Sequence, residues 1–156
     1  MVPVDFAFPT GSPNFQVDSR ILIPGLEQPC YTAAVEVSFR MTSTDLAASA
    51  LVVRLNHNLG SASVISPPLG SITGTQMGSS CGSLVFKDGS PAFSTAVPPY
   101  DGSFSAGDSL DAKFLNLTPS AWGLHLQLFP SGSSLPPSTL QCWTIRVTLS
   151  SVPVGF

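Results

Sequence analysis

Apolar and polar residues alternate with a period of two along several stretches of this chain. The clearest stretch is Trp143–Leu149, where Trp, Ile, Val and Leu are separated by Thr, Arg and Thr. Successive side chains of a β-strand point to opposite faces of the sheet, so this pattern predicts a strand with one apolar face. The strand lies almost at the end of the chain. It must pair with strands from much earlier in the sequence if its apolar face is to be buried.

Similar alternation predicts the other strands. Val35–Met41 has polar residues at every second position, and Leu51–Leu55 is its expected antiparallel partner. Further strands are predicted over Phe15–Ile23, Ser61–Ser66, Gly82–Lys87, Pro91–Val97 (as an edge strand), Leu110–Phe114 and Trp122–Leu128. Only Leu46–Ala50, preceded by the possible cap Thr42–Asp45, is expected to allow a helical turn.

The expected fold follows from these strands and from the turns between them. Pro- and Gly-containing turn signals separate the apolar runs, and 156 residues suit one ordinary domain. The sequence therefore predicts an all-β fold: an antiparallel β-sandwich, jelly-roll-like, of about eight strands with negligible helix. A single domain covering residues 1–156 is expected. The predicted core comprises Val35, Val37, Phe39, Leu51, Val53, Leu55, Leu84, Phe86, Leu124, Leu126, Trp143, Ile145 and Val147.

Charge narrows the range of partners. Only 10% of the residues are charged and the net charge is −3, whereas soluble domains carry roughly 25% charged residues. The six Lys and Arg residues are scattered and no two are adjacent, so nucleic acid is not an expected partner. No stretch approaches the roughly 20 apolar residues of a membrane span, so no membrane insertion is expected. Met1–Thr10 contains Asp5 and no apolar core, so no signal peptide is expected there.

The cysteines and the titratable residues give no catalytic pattern. Cys30, Cys81 and Cys142 form no CxxC pair, which predicts no zinc site. Three reduced thiols are favoured over one disulfide with one free thiol. His57 and His125 lie in unrelated contexts, and no nucleophile elbow, phosphate loop or HExxH motif is present. We expect no enzyme activity, no catalytic residues, no cofactor and no metal.

Three loops carry most of the small polar residues: Ser61–Ser80, Thr95–Ser105 and Pro130–Thr139. They are either solvated connections or a recognition surface held by a rigid scaffold. The candidate receptor- or ligand-binding residues are Tyr100, Asp101, Phe104, His57 and Asn58. The sequon Asn116-Leu117-Thr118 is followed by Pro119 and is expected to be unoccupied.

The closing run Cys142–Leu149, followed by Ser150–Pro153, resembles the last strand of viral jelly-roll capsid domains. Nodavirus-like and tombusvirus-like coat proteins have a comparable aromatic, alternating strand that runs into a Ser/Pro tail. The low charge and high Ser, Pro and Gly content are also similar to viral spike and fibre-head domains. This chain has no basic N-terminal arm, which disfavours genome packaging and favours a projection, attachment or accessory role.

The resemblance implies a viral structural protein on the virion surface that self-associates and presents loops to a host glycan or protein receptor. The alternative is a non-viral, extracellular carbohydrate- or protein-binding sandwich, such as a lectin or a C1q/TNF-like head. The weakly charged surface favours a homo-oligomer or shell. The expected contact elements are the segment before Pro13 and the tail Val152–Phe156.

Overall fold

The computed structural model describes residues 2–8, 15–22, 30–65, 72–118, 121–130 and 136–155. Two sheets pack face to face, which confirms the predicted all-β sandwich. The strands are β1 Val2–Phe8, β2 Phe15–Leu22, β3 Tyr31–Ser43, β4 Ser49–His57, β5 Gly60–Ile65, β6 Gln76–Met77, β7 Leu84–Phe86, β8 Gly102–Phe104, β9 Ala121–Pro130 and β10 Ser138–Ser150. One short helix, α1, spans Leu110–Phe114, and 3₁₀ turns span Leu46–Ala48 and Phe93–Thr95.

The strand order is nested. The first sheet has the order β1-β10-β3-β7-β8, with β6 also paired to β3, and the second has the order β2-β9-β4-β5. Thus β1 pairs with β10, β2 with β9 and β3 with β7, which are distant in the sequence, whereas the innermost pair, β4 and β5, is consecutive. All these pairs are antiparallel, whereas β7 and β8 are parallel. The last strand therefore closes the first sheet by non-local pairing, as its apolar pattern predicts.

The core lies between the two sheets. Every predicted core residue on β3, β4, β7 and β9 is buried, and so is Trp143 on β10. The indole Nε1 of Trp143 donates to Ser19 Oγ at 2.8 Å, which joins β10 to β2 across the sandwich. Farther along the same face, Ile145 and Val147 are only half-buried. The prediction of full burial is wrong at these two positions because the cover over β10 diminishes beyond Trp143.

Three strand predictions are wrong. Leu51–Leu55 is not the antiparallel partner of Val35–Met41, because β4 pairs with β9 and β5 in the second sheet, whereas β3 pairs with β10 and β7 in the first. Leu110–Phe114 forms α1 because Ser109 caps the helix: its Oγ accepts the Ala112 N–H at 3.2 Å. Leu110 and Phe114 are buried one helical turn apart and Ala112 between them is exposed, so the apparent period of two was the i, i+4 spacing of a helix. Pro91–Val97 contains a 3₁₀ turn rather than an edge strand.

A disulfide joins Cys81 to Cys142, with Cα atoms 6.1 Å apart, and leaves Cys30 as the free thiol. The favoured prediction of three reduced thiols is therefore wrong. Cys142 lies beside Arg40 of β3, and the Arg40 Nε donates to the Gly78 carbonyl at 3.2 Å. The segment before β7 thus crosses the outer side of β3 and reaches β10.

Parts of four predicted regions lie outside the described residues. These are residues 66–71 and 131–135 of two predicted loops, residues 1 and 9–12 of the N-terminal contact segment, and Phe156 of the tail. Within the tail, Val154 is bound to Asn116: its N–H donates to Asn116 Oδ1 at 2.7 Å, and Asn116 Nδ2 donates to its carbonyl at 2.9 Å. The side-chain amide of Asn116, the first residue of the sequon, is therefore hydrogen-bonded to the tail.

Candidate functional site

The five candidate residues lie in two places. Tyr100 and Phe104 belong to an aromatic cluster around Phe93, whose ring centroid is 5.5 Å from each of theirs. Tyr100 is only 4% exposed, and its hydroxyl accepts the Thr73 N–H at 2.8 Å. These two rings are packed into the core, so neither presents a free face on which a sugar could stack.

Asp101, in contrast, is exposed beside this cluster. Its Oδ1 accepts the Ser79 N–H at 2.8 Å and its Oδ2 accepts the Ser79 hydroxyl at 2.6 Å. These bonds, first from the Ser79 side chain, then from its backbone, with a smaller one from Ser83, hold the pKa of Asp101 below its ordinary value. The carboxylate therefore fastens the segment before β7 to the start of β8.

His57 ends β4 and is buried. Its Nδ1 accepts the Leu59 N–H at 3.1 Å, which places the ring proton on Nε2, and Nε2 lies 2.9 Å from the Thr118 carbonyl that accepts it. The ring also meets Trp122 edge-on, with centroids 4.8 Å apart. These contacts fix the β4–β5 turn, in which Asn58 is exposed.

His57 and Asn58 border a groove on the second sheet, which we name the Gly123 groove. It has a volume of about 300 Å³. Its lining residues are Asp18, Ser19, Arg20, Asn56, His57, Asn58, Ala121 and Gly123. In the strand register Gly123 of β9 lies between Arg20 of β2 and Asn56 of β4. Because glycine has no side chain, the backbone of β9 forms the floor and the two polar residues form opposite walls.

The polar groups of the groove are held by their neighbours. Two residues along each strand, His125 Nδ1 contacts Asp18 Oδ1 at 2.7 Å. On the other wall, the Ser61 hydroxyl donates to Asn56 Oδ1 at 2.8 Å, so the Asn56 amide hydrogens are left as donors. Within the described part of the chain, the exposed guanidinium of Arg20 has neither a hydrogen bond nor an ion pair.

A second groove, of about 320 Å³, lies on the first sheet and has a different charge balance. Its Glu36 carboxylate is 3.9 Å from Lys87 Nζ and 3.7 Å from an Arg146 nitrogen. The glutamate thus partly neutralises both cations. Both cations of this groove therefore lie within 4 Å of a carboxylate, whereas no carboxylate of the described residues lies that close to the Arg20 guanidinium.

The sequence predicted His57 and Asn58 as candidate residues, and they border this groove, but it did not point to Arg20, Asn56 or Gly123. Alternation does assign Arg20 and Asn56 to polar faces of their strands. The missing information was the register that brings β2, β9 and β4 side by side, since a glycine in one strand gives no sign of its neighbours across a sheet.

Among the described residues, no group of three or more His, Cys, Asp or Glu could hold a metal ion. No helix in the described ranges is long and apolar enough to cross a membrane. In comparisons with known proteins, no family model, no curated protein and no solved structure matches this chain.

Proposed function

We propose that this chain is a jelly-roll structural domain of a virion surface that self-associates and contacts a host receptor. The nested strand order supports the jelly-roll topology, because a folded double-stranded ribbon alternating between two sheets produces such an order. Jelly rolls serve capsids, lectins and enzymes alike, so the fold does not decide the function. Support for self-association and receptor binding therefore has to come from the residues on the surface.

The observation that best supports self-association is an open edge on β10. Strand β1 pairs with β10 only as far as Trp143, whereas β3 pairs with it up to Ser150. Among the described residues, Thr144–Ser150 therefore has no strand on the β1 side. Leu149 on this segment is 40% exposed, and Val152 just beyond it is 64% exposed.

The backbone of this segment points its hydrogen-bonding groups at the open side. The Val35 N–H donates to Asp111 Oδ1 at 2.9 Å, so it does not donate to β10. Val35 lies opposite Val147 in an antiparallel pair. Where one residue of such a pair turns its N–H away from the partner strand, the opposite residue does the same. Val147, and by alternation Ile145, therefore aim their N–H and C=O groups at the open edge, which is a template for strand pairing.

A second copy of the chain fits this edge. Antiparallel pairing of two β10 strands about a two-fold axis at Val147 would place Arg146 opposite Thr148 of the other copy, so no like charges would meet. The same register would place Ile145 opposite Leu149 on the apolar face and cover both. The net charge of −3 offers little repulsion between copies.

The Cys81–Cys142 disulfide is consistent with a surface or extracellular location. Disulfides persist in oxidising compartments and on virion surfaces, and they are rare in the reducing cytosol.

The experiment is sedimentation velocity of the full chain and of Val147→Pro. The Val147 N–H does not bond to β3, so proline should leave the fold intact and block strand addition. We expect dimers or larger assemblies for the parent chain and monomers for Val147→Pro and Leu149→Lys. The matched control is Leu59→Lys, which changes an exposed leucine of the β4–β5 turn and should leave assembly unchanged. A parent chain that stays monomeric at micromolar concentration would overturn self-association.

The second candidate function is a non-viral carbohydrate- or protein-binding sandwich. The Gly123 groove favours it, because a ligand groove does not require assembly. A parent chain that binds a glycan as a monomer would support this alternative over a shell or projection domain.

A further inference from the structure

We infer that the Gly123 groove is a binding site for an acidic sugar, a monosaccharide unit with one carboxylate and adjacent hydroxyls. This inference rests on the receptor-binding part of the proposed function and makes the ligand class specific. It does not depend on the β10 edge, which belongs to the other sheet.

We infer the carboxylate of the ligand from Arg20. Its guanidinium lies on one wall of the groove with no partner among the described residues. A guanidinium presents a planar fork of donors that matches a carboxylate in a bidentate arrangement. Lys87 and Arg146 of the first-sheet groove already contact Glu36, whereas among the described residues the Arg20 guanidinium has no carboxylate within 4 Å and is free to bind one from a ligand.

We infer the hydroxyls of the ligand from the other polar groups that line the groove. The Asp18 carboxylate, which His125 holds in place, can accept hydrogen bonds from ligand hydroxyls but cannot donate any. Across the floor, Asn56 and the exposed Asn58 offer amide donors. A ligand with one anionic group and several hydroxyls satisfies both walls. Asp18 and the net charge of −3 oppose a more highly charged anion such as a phosphate ester.

The size of the groove suits a single sugar ring. Its volume of about 300 Å³ is at the lower end of the range for small-molecule sites, roughly 300–1,000 Å³. The floor contributes backbone and the methyl group of Ala121, against which the apolar face of a ring can lie.

The glycine at position 123 gives a second reason, independent of charge and size, to place a ligand in the groove. A Cβ added there would meet Ser19 O at 3.7 Å and Asn56 Cβ at 3.9 Å, which are ordinary contacts. Local packing therefore does not require a glycine at this position. Glycine weakens the interior of a strand and often marks a place where a ligand approaches the backbone closely. A side chain at 123 would fill the groove instead.

The experiment is NMR titration of the full chain with the methyl glycoside of N-acetylneuraminic acid and with glucuronic acid. Methyl galactoside, inorganic phosphate and acetate serve as the other probes. We expect saturable shifts of the Gly123 and Asn56 amides at millimolar acidic sugar. Arg20→Ala should weaken binding about tenfold or more, since a charge-assisted pair is lost. Arg146→Ala, which removes the same charge from the other sheet, should bind like the parent chain.

Gly123→Val provides the second variant. It should fold at least as stably as the parent chain and lose the sugar shifts, because valine suits a strand and occupies the groove. Equal affinity for methyl galactoside would overturn the acidic class, and equal affinity for acetate would overturn the sugar. Unchanged binding by Gly123→Val, or no shifts in the groove, would overturn the site. Val147→Pro should keep sugar binding, which separates this outcome from a failure of self-association.

Discussion

The two halves of β10 have the same alternating pattern and different surroundings. Ser138–Trp143 pairs with β1 on one side and β3 on the other, and it buries Leu140, Cys142 and Trp143. Thr144–Ser150 pairs with β3 alone among the described strands, and its apolar side chains become more exposed toward Leu149. The closed half therefore serves the stability of one chain, and we propose that the open half serves association. Alternation indicates a strand, but it does not tell how much of the strand is covered.

The largest expected difference in the free energy of unfolding is between alanine substitutions in the two halves of β10. Trp143→Ala should lower the free energy of unfolding by about 3–5 kcal/mol, because it leaves a cavity and an unpaired Ser19 hydroxyl. Leu149→Ala should cost less than about 1 kcal/mol, because the side chain is partly exposed. Urea unfolding of both variants measures the difference. Similar losses at the two positions would contradict the division of β10.

Removing the disulfide is a second test of how much the closed half of β10 contributes to stability. Replacing Cys81 by Ser and Cys142 by Ala should destabilise the chain by about 2–4 kcal/mol, because the crosslink restricts the unfolded state. Thermal unfolding of the oxidised parent chain, the double variant and Cys30→Ser gives the measurement. Cys30→Ser keeps the crosslink and should stay close to the parent chain. A double variant as stable as the parent chain would contradict the anchoring role of Cys142.

Residue patterns predicted most of the sandwich because period-two alternation is a local property. Val35–Met41 and Trp122–Leu128 needed no knowledge of their partners to be recognised as strands. Helix α1 was misread because Leu110, Ala112 and Phe114 satisfy a period of two as well as the i, i+4 spacing. The deciding feature was the Ser109 cap, which acts with a hydrogen bond from the Leu110 N–H to the distant Asp88.

The candidate site was harder to predict because it depends on contacts between strands. The pairing of Cys81 with Cys142 requires the path of a loop across β3, which spacing does not encode. Tyr100 looked like a surface aromatic because turn residues surround it, yet its ring completes the cluster around Phe93. Asp101 beside it is exposed as expected for a loop residue, although its carboxylate binds within the chain.

The tail gives a smaller test of the open half. Removing Val152–Phe156 eliminates the exposed Val152 next to the open edge and should weaken assembly, as seen by sedimentation. It also removes the two hydrogen bonds between Val154 and Asn116, so the free energy of unfolding should fall by only about 1 kcal/mol. Asn116→Ala removes these bonds but keeps Val152, and it serves as the control. Assembly that weakens equally in Asn116→Ala would contradict a direct contact by Val152.

The smallest expected effect concerns the segment that carries Cys81 to the closed half. Hydrogen bonds from the Ser79 hydroxyl and N–H favour the carboxylate of Asp101 and hold its pKa below 3.8. A group whose pKa is lowered by folding contributes fully above its unfolded pKa, and the contribution is lost as the pH falls through the folded pKa. The contact between Asp101 and Ser79 should therefore be intact at neutral pH and open only below about pH 3.8. NMR titration of the Asp101 carboxyl and the Ser79 amide measures this directly. Ser79→Ala removes the largest cause and should raise the Asp101 pKa, while Ser105→Ala, in another loop contact, should leave it unchanged. If the carboxyl titrates at or above 3.8 in the parent chain, the contact between Asp101 and Ser79 does not help to hold this segment, and the disulfide and the hydrogen bond from Arg40 to Gly78 hold it without Asp101.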